Sequence, residues 1–154
     1  MLKFYECHED DEAQYLVTEY VKGCDLLGKL KKRDDSMSES KLRLIMTQIV
    51  NGLKALHKQG IMHRDIKLEN ILVSKCTSGR RTYKICDFGV SAMLESPDSF
   101  EELCIGTMRY MAPEMLENKS YNQKIDIWSL GVVFFTLTTG SMPFVGEDSH
   151  QVQE

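Results

Sequence analysis

The stretch His63-Arg64-Asp65-Ile66-Lys67-Leu68-Glu69-Asn70 gathers much of the chain's candidate chemistry into one loop. Before it, Leu42, Ile45, Met46, Ile49, Leu53 and Leu56 recur at three- and four-residue steps, which puts them on one face of a helix. Ser36 or Ser38 can cap that helix, and Gly60 suits its end. After it, Ile71-Leu72-Val73 and Thr82-Tyr83-Lys84-Ile85-Cys86 read as short strands. The polar link Ser74 to Arg81, carrying Gly79, makes them a hairpin. The loop is therefore held between an amphipathic helix and a hairpin. Taken alone, Asp65 could equally be a carboxylate that caps the loop.

Working outward, residues 2–8 and 14–21 read as strands joined by the acidic turn Glu9-Asp10-Asp11-Glu12. Gly23 breaks the second strand, and Asp25 is placed to cap a short helix through Leu26, Leu27 and Leu30. The run Lys31-Lys32-Arg33-Asp34-Asp35 reads as a solvated helix end and turn. From Asp87 to Met111 no period holds, and an irregular stretch of 25 residues inside a domain predicts a functional loop. Ile125 to Thr139 is apolar nearly all round and predicts a buried central helix, with Trp128 in the core. The tail from Gly140 to Glu154 reads as turns. The pattern as a whole is α+β.

The chain has 154 residues, a comfortable length for one domain. Lysine and arginine number 19 against 23 aspartates and glutamates, a net charge of −4, which argues against coating nucleic acid or an anionic membrane. The longest apolar stretch, Leu130 to Phe135, is far too short for a membrane span, and no signal peptide opens the chain. These features predict a cytoplasmic or nuclear protein. The five cysteines form no Cys-x-x-Cys pair and read as reduced thiols.

Four segments in order resemble the eukaryotic protein kinases of the serine/threonine branch, with the calcium/calmodulin-dependent-like group one plausible home. They are His63-Arg64-Asp65 with Asn70, Asp87-Phe88-Gly89 after the second hairpin strand, Ala112-Pro113-Glu114, and Asp126-Ile127-Trp128-Ser129-Leu130-Gly131. The resemblance covers essentially all 154 residues but only the middle of the family pattern. It implies an incomplete kinase-like fold, with residues 1–18 ending the N-lobe, 19–24 the hinge, and 25–154 part of the C-lobe. Residues 87–114 would be the activation segment.

The resemblance also implies roles. Asp65 would orient the substrate hydroxyl and accept its proton, and Lys67 would set positive charge near the transferred phosphoryl group. Asn70 and Asp87 would hold Mg²⁺ against the phosphates of ATP, since that hard cation wants oxygen ligands. Glu19 and Val21 would bond the adenine edge through their main chain, with Thr18 behind the pocket and Leu72 under the ring. Asp25 would reach the ribose or the protein substrate. Phe4, His63 and Phe88 would stack as a column anchored by Asp126. His8, His57 and His150 have no partner in this reading, so surface or cap roles are expected.

Within the segment, Arg64 would pair with a phosphorylated residue, yet Leu103 stands where many relatives carry it. Glu101 and Glu102 could supply fixed negative charge instead, or Ser96 and Ser99 could be modified. Thr107 would bond Asp65 and Lys67. Met108-Arg109-Tyr110 would line the pocket for the residue after the phosphoacceptor, and Glu69 could meet a basic one. The glycine-rich phosphate loop, its lysine and the lysine's glutamate partner lack counterparts here. The expectation is a truncated kinase whose isolated chain is inactive or impaired, with Val132, Val133, Phe134, Phe135 and Leu137 left partly uncovered. The alternative is a catalytically dead form that binds or competes. Oligomeric state is not legible from these residues.

Overall fold

A computed structural model of the chain describes residues 1–32, 37–75, 79–94, 96 and 99–144. The chain opens with an antiparallel hairpin, β1 (Phe4–Glu9) and β2 (Gln14–Thr18). Its turn forms because Asp10 Oδ1 accepts from the amides of Glu12 and Ala13, both at 2.9 Å. The second strand stops at Thr18 rather than at residue 21. Glu19 still donates its amide to Lys3, but its carboxylate turns to accept from the Lys3 amide and the Lys84 ammonium.

Gly23 does not break a strand; it begins β3 (Gly23–Asp25), which pairs antiparallel with β5 (Ile71–Lys75). A Cβ at position 23 would lie 1.8 Å from the Val73 carbonyl oxygen, so only glycine permits that approach. The sheet order is β3-β5-β6, with β6 (Arg81–Ile85) in register from Ile71 opposite Ile85 to Lys75 opposite Arg81. Residues 76–78 of the hairpin link lie outside the described residues.

Helix α1 (Leu26–Lys31) is capped by Asp25 as expected, with Oδ1 accepting from Gly28 N at 2.6 Å. Helix α2 (Glu39–His57) buries Ile45, Met46, Ile49, Leu53 and Leu56 along one stripe, the face its spacing predicted. Ser38 sits at its N-cap without a side-chain bond, and Ser36 lies outside the described residues, as do Arg33, Asp34 and Asp35. Strand β4 (Ile61–Met62) pairs with β7 (Ala92–Met93), a short rung inside the stretch that looked wholly irregular. Helix α3 (Pro113–Leu116) starts on its proline, and α4 (Lys124–Thr139) ends where Gly140 turns left-handed at φ 80°.

One core joins α1, α2, β5, β6 and α4; a second, smaller one packs Met62, Leu94, Ala112, Met115, Tyr121 and Ile125, with Ala92 and Met111 against it. Helix α4 is buried on one side only, which corrects the expectation of a helix covered all round. Ile127 and Phe135 are exposed, and Trp128 lies at the surface, stacked on Phe144 with ring centroids 5.5 Å apart. Conversely Val132, Val133 and Leu137, expected to lack cover, are buried against α2 and the hairpin core. An apolar sequence marks no face of a helix, so only packing selects which residues go inside. Among the described residues, no helix is long and apolar enough to cross a membrane.

Candidate active site

Two helices suspend the polar loop. Asp126, in the first turn of α4, is 1% exposed and accepts from His63 N and Arg64 N, each at 2.9 Å. It also bonds His57 Nε2 at 2.8 Å, so His57 is not the partnerless histidine the sequence suggested. The last turn of α2 meets the first turn of α4 there, a proximity invisible in a separation of 69 residues. His63 is fully buried; its Nε2 donates to the Cys86 carbonyl and its Nδ1 accepts from Asp65 N. Burial, which opposes charging, outweighs the nearby carboxylates and holds the imidazole below its ordinary pKa. His63 is therefore a neutral structural ring, tilted against Phe88 at 5.2 Å. Phe4, expected in the same column, is instead exposed on β1.

Asp65 is gripped from several sides. Lys67 Nζ lies 2.7 Å from Oδ2, Thr107 Oγ1 donates to Oδ1 at 2.7 Å, and Asn70 Nδ2 donates to both Oδ2 and the Asp65 carbonyl at 2.9 Å. Lys67 Nζ closes the ring by donating to Thr107 Oγ1 at 2.8 Å. Burial pushes the Asp65 carboxyl up, but the bonds from Lys67, Thr107 and Asn70 together hold it below the usual carboxylate value. The expected union of Thr107 with Asp65 and Lys67 is present. It depends on Gly106, whose φ is 123° and whose added Cβ would stand 2.4 Å from the Arg64 carbonyl.

Asp87 follows β6 directly, in a left-handed conformation (φ 63°) that short polar side chains tolerate. Cys86 N donates to the Asn70 carbonyl at 3.0 Å, which sets Asn70 and Asp87 at the same end of the β5–β6 ladder. The donor chemistry fits Mg²⁺: a carboxylate from Asp87, and the amide oxygen of Asn70, whose nitrogen is committed to Asp65. Among the described residues, no group of three or more His, Cys, Asp or Glu is poised for a metal. Burial, with the Asp87 carboxylate beside it, pushes the Cys86 thiol up to about 11.

The residues expected to hold the nucleotide fall on β5, at the end of β3 and on the link from β2. Leu72 is half-buried on β5 opposite Asp25, and Glu19 and Val21 lie in the link from β2 to β3. Glu19 spends its side chain on Lys3 and Lys84. Thr18 is exposed, and one oxygen of Asp25 is committed to the α1 cap.

On the other side, a groove of about 660 Å³ runs between Leu27, Glu69, Met108, Arg109, Tyr110 and Met142, so the residues expected to read a substrate do line one cleft. Arg64 Nε donates to Val90 O at 2.6 Å, and its guanidinium lies 3.9 Å from Glu101. Glu102 turns instead to Ser120, while Ser96 and Ser99 bond each other. The sequence reading missed Tyr121, which is buried, bridges Glu101 through the main chain and donates to the Leu103 carbonyl. A lone tyrosine amid polar residues carries no periodic signal.

The protein kinase domain family model matches residues 1–154. The chain is 39% identical over 150 residues to the serine/threonine-protein kinase cds1 of Schizosaccharomyces pombe, covering 94% of this chain and 32% of that protein. It is 37% identical over 153 residues to human serine/threonine-protein kinase Nek5, covering 99% of this chain and 21% of that protein. It is 36% identical over 144 residues to calcium/calmodulin-dependent serine/threonine-protein kinase 1 of Oryza sativa subsp. japonica, covering 94% and 24%. The chain thus spans about a third or less of the length of these relatives.

Proposed function

The chain belongs to the protein kinase domain family, and on that premise we propose that it supplies the core for phosphoryl transfer from ATP to serine or threonine of protein substrates. The observation that carries this reading is the Asp65 carboxylate, fixed by Lys67, Asn70 and Thr107, the last of which also lines an open groove. When bound, Mg-ATP would supply the transferable phosphoryl group, with Asn70 and Asp87 as the protein's ligands to the metal. The chain's own residues then position the reaction. Asp65 stays ionised at neutral pH, would accept a hydrogen bond from the substrate hydroxyl and would take its proton as the hydroxyl oxygen bonds to the γ-phosphorus and the bond from that phosphorus to the bridging oxygen breaks, its electron pair leaving with ADP. Its depressed pKa makes it a weak base, so orientation of the hydroxyl is the larger contribution. Lys67, with Nζ 2.7 Å from Asp65 Oδ2, would set positive charge near the transferred phosphoryl group. The main chain of Glu19 and Val21 would hold the adenine edge, Leu72 its face and Asp25 the ribose or substrate.

The test is an assay of the protein that carries this chain with Mg-ATP and a generic serine/threonine peptide. Transfer should fall by about 10³-fold or more in Asp65→Asn, the scale of losing both orientation and proton acceptance. Nucleotide binding, followed by fluorescence of an ATP analogue, should stay within about twofold because Asp65 belongs to the substrate side. Equal turnover by wild type and variant would end the assignment.

A further inference from the structure

Strand β6 lies at the edge of its sheet, because the strand order is β3-β5-β6. Main-chain donors and acceptors on the side away from β5 are open to pairing with another strand unless something covers them. Two groups meet β6 there. Leu2 N donates to the Ile85 carbonyl at 2.9 Å. Gln48, half-buried in the middle of α2, donates from Nε2 to the Arg81 carbonyl at 3.3 Å and accepts at Oε1 from Tyr83 N at 3.0 Å. The amide thereby takes both hydrogen-bonding roles of one residue in a neighbouring strand. A carboxylate could only accept, and an apolar side chain could do neither.

This link joins a firmly packed element to one that aims a site residue. On α2, Ile45, Ile49 and Leu53 are each at most 1% exposed. Gly52, one turn beyond Gln48, lies against β6, where an added Cβ would meet Ile85 Cδ1 at 3.4 Å. Strand β6 in turn runs directly towards Asp87, and just before it Cys86 N donates to the Asn70 carbonyl at 3.0 Å. Asn70 is fixed independently, through its side-chain bonds to Asp65. Where Asp87 stands relative to Asn70 therefore depends on how β6 is held against α2.

We propose that Gln48 is a positioning residue: its amide, hydrogen-bonded on both sides of Thr82, ties the edge of β6 to α2 and so fixes Asp87 relative to Asn70. Gln48 touches neither residue and acts only through the strand. The proposal rests on the phosphoryl-transfer reading for what Asp87 and Asn70 hold, whereas the tie between α2 and β6 is independent of it.

The experiment compares wild type, Gln48→Leu and Gln48→Glu in the protein that carries this chain. Hydrogen exchange is read for a peptide spanning residues 81–86, as a ratio to wild type at each pH from 8 to 4.5, with α4 as the internal reference. Gln48→Leu should exchange roughly tenfold faster at every pH, confined to that peptide. Gln48→Glu should be about threefold faster at pH 8, where its carboxylate faces the Arg81 carbonyl without a proton to donate. Its ratio should fall towards one at pH 4.5, as the protonated acid supplies the missing donor; loss of packing alone would not recover in this way. Unchanged exchange in Gln48→Leu, a rise shared equally by α4, or a Gln48→Glu ratio that does not fall with pH overturns the tie. The second readout is Mn²⁺ binding in the presence of ADP, followed by water-proton relaxation. Gln48→Leu should weaken it about tenfold, the low end for a residue outside the ligand set, while the KM for a substrate peptide stays within about twofold. Faster exchange with unchanged Mn²⁺ binding overturns the positioning role. If wild type neither binds Mn²⁺ with ADP nor transfers phosphate, the phosphoryl-transfer reading fails and takes the Asp87 part with it, while the exchange ratios still decide the tie.

Discussion

At the scale of single residues, the site is governed by how each titratable group is partnered. Asp65 is held below the usual carboxylate value, so its charge is present through the neutral range and is lost only as pH falls through that lowered value. A pH–rate profile should therefore show no limb from Asp65 between about pH 5 and 8, and Thr107→Ala, which removes one stabilising bond, should not create one there. His63 has the opposite chemistry. Burial keeps it neutral when folded, whereas an unfolded histidine takes up a proton near its ordinary value of 6.5. The unfolded state then binds more protons, and stability falls as pH drops below that value, by at most about 1.4 kcal/mol per pH unit from this group. Denaturant melts at descending pH should show this slope reduced in His63→Phe, and an unchanged slope would remove His63 as its source. Cys86, buried with its thiol raised to about 11, should resist alkylation at pH 8 while exposed Cys7 and Cys104 react, as peptide mass mapping would read. The identities of Asp65, Lys67 and Asn70 were legible because they crowd into one short stretch. The charge states of Asp65 and His63 were not, because they depend on groups such as Thr107 and Cys86, which lie far along the chain.

At the scale of elements, α4 positions the loop and the residue 106 turn closes over it. Asp126 in the first turn of α4 serves two main-chain donors of the loop and the ring of His57. Asp126→Ala should cost about 1–3 kcal/mol for each main-chain donor left buried without an acceptor, measured by equilibrium unfolding. Asp126→Asn should cost less but still misdirect one of them. Gly106→Ala should separate the turn from the loop, because the new Cβ meets the Arg64 carbonyl at 2.4 Å in a backbone region that alanine avoids. Its expected signature is loss of phosphoryl transfer with only about 1–3 kcal/mol of destabilisation, the scale of a strained backbone position. Periodicity located α2 and its buried face because polar residues mark the opposite side. In α4 there was no such contrast, so the sequence located the helix but not the face that Ile127, Trp128 and Phe135 turn outward.

At the scale of the whole molecule, packing is concentrated around α2, α4 and the β5–β6 hairpin, while β1 and β2 are exposed on both faces. Two strands without a covered face are marginal in water, so their amides should exchange much faster than those of α2 and α4 in the same protein. Comparable protection in both regions would show that something covers the hairpin. A core substitution such as Ile49→Ala should cost about 2–5 kcal/mol, against less than about 0.5 kcal/mol for Leu16→Ala on β2. The sequence by itself determined the family, through His63-Arg64-Asp65, Asp87-Phe88-Gly89, Ala112-Pro113-Glu114 and the start of α4 in order, since these are local patterns of residue type. Only the tertiary structure decided that His57 meets Asp126, that Gly23 joins a sheet, and that Glu101 and Tyr121 close on Arg64. Those are long-range contacts between residues whose types are individually ordinary, fixed by which surfaces the cores bring together.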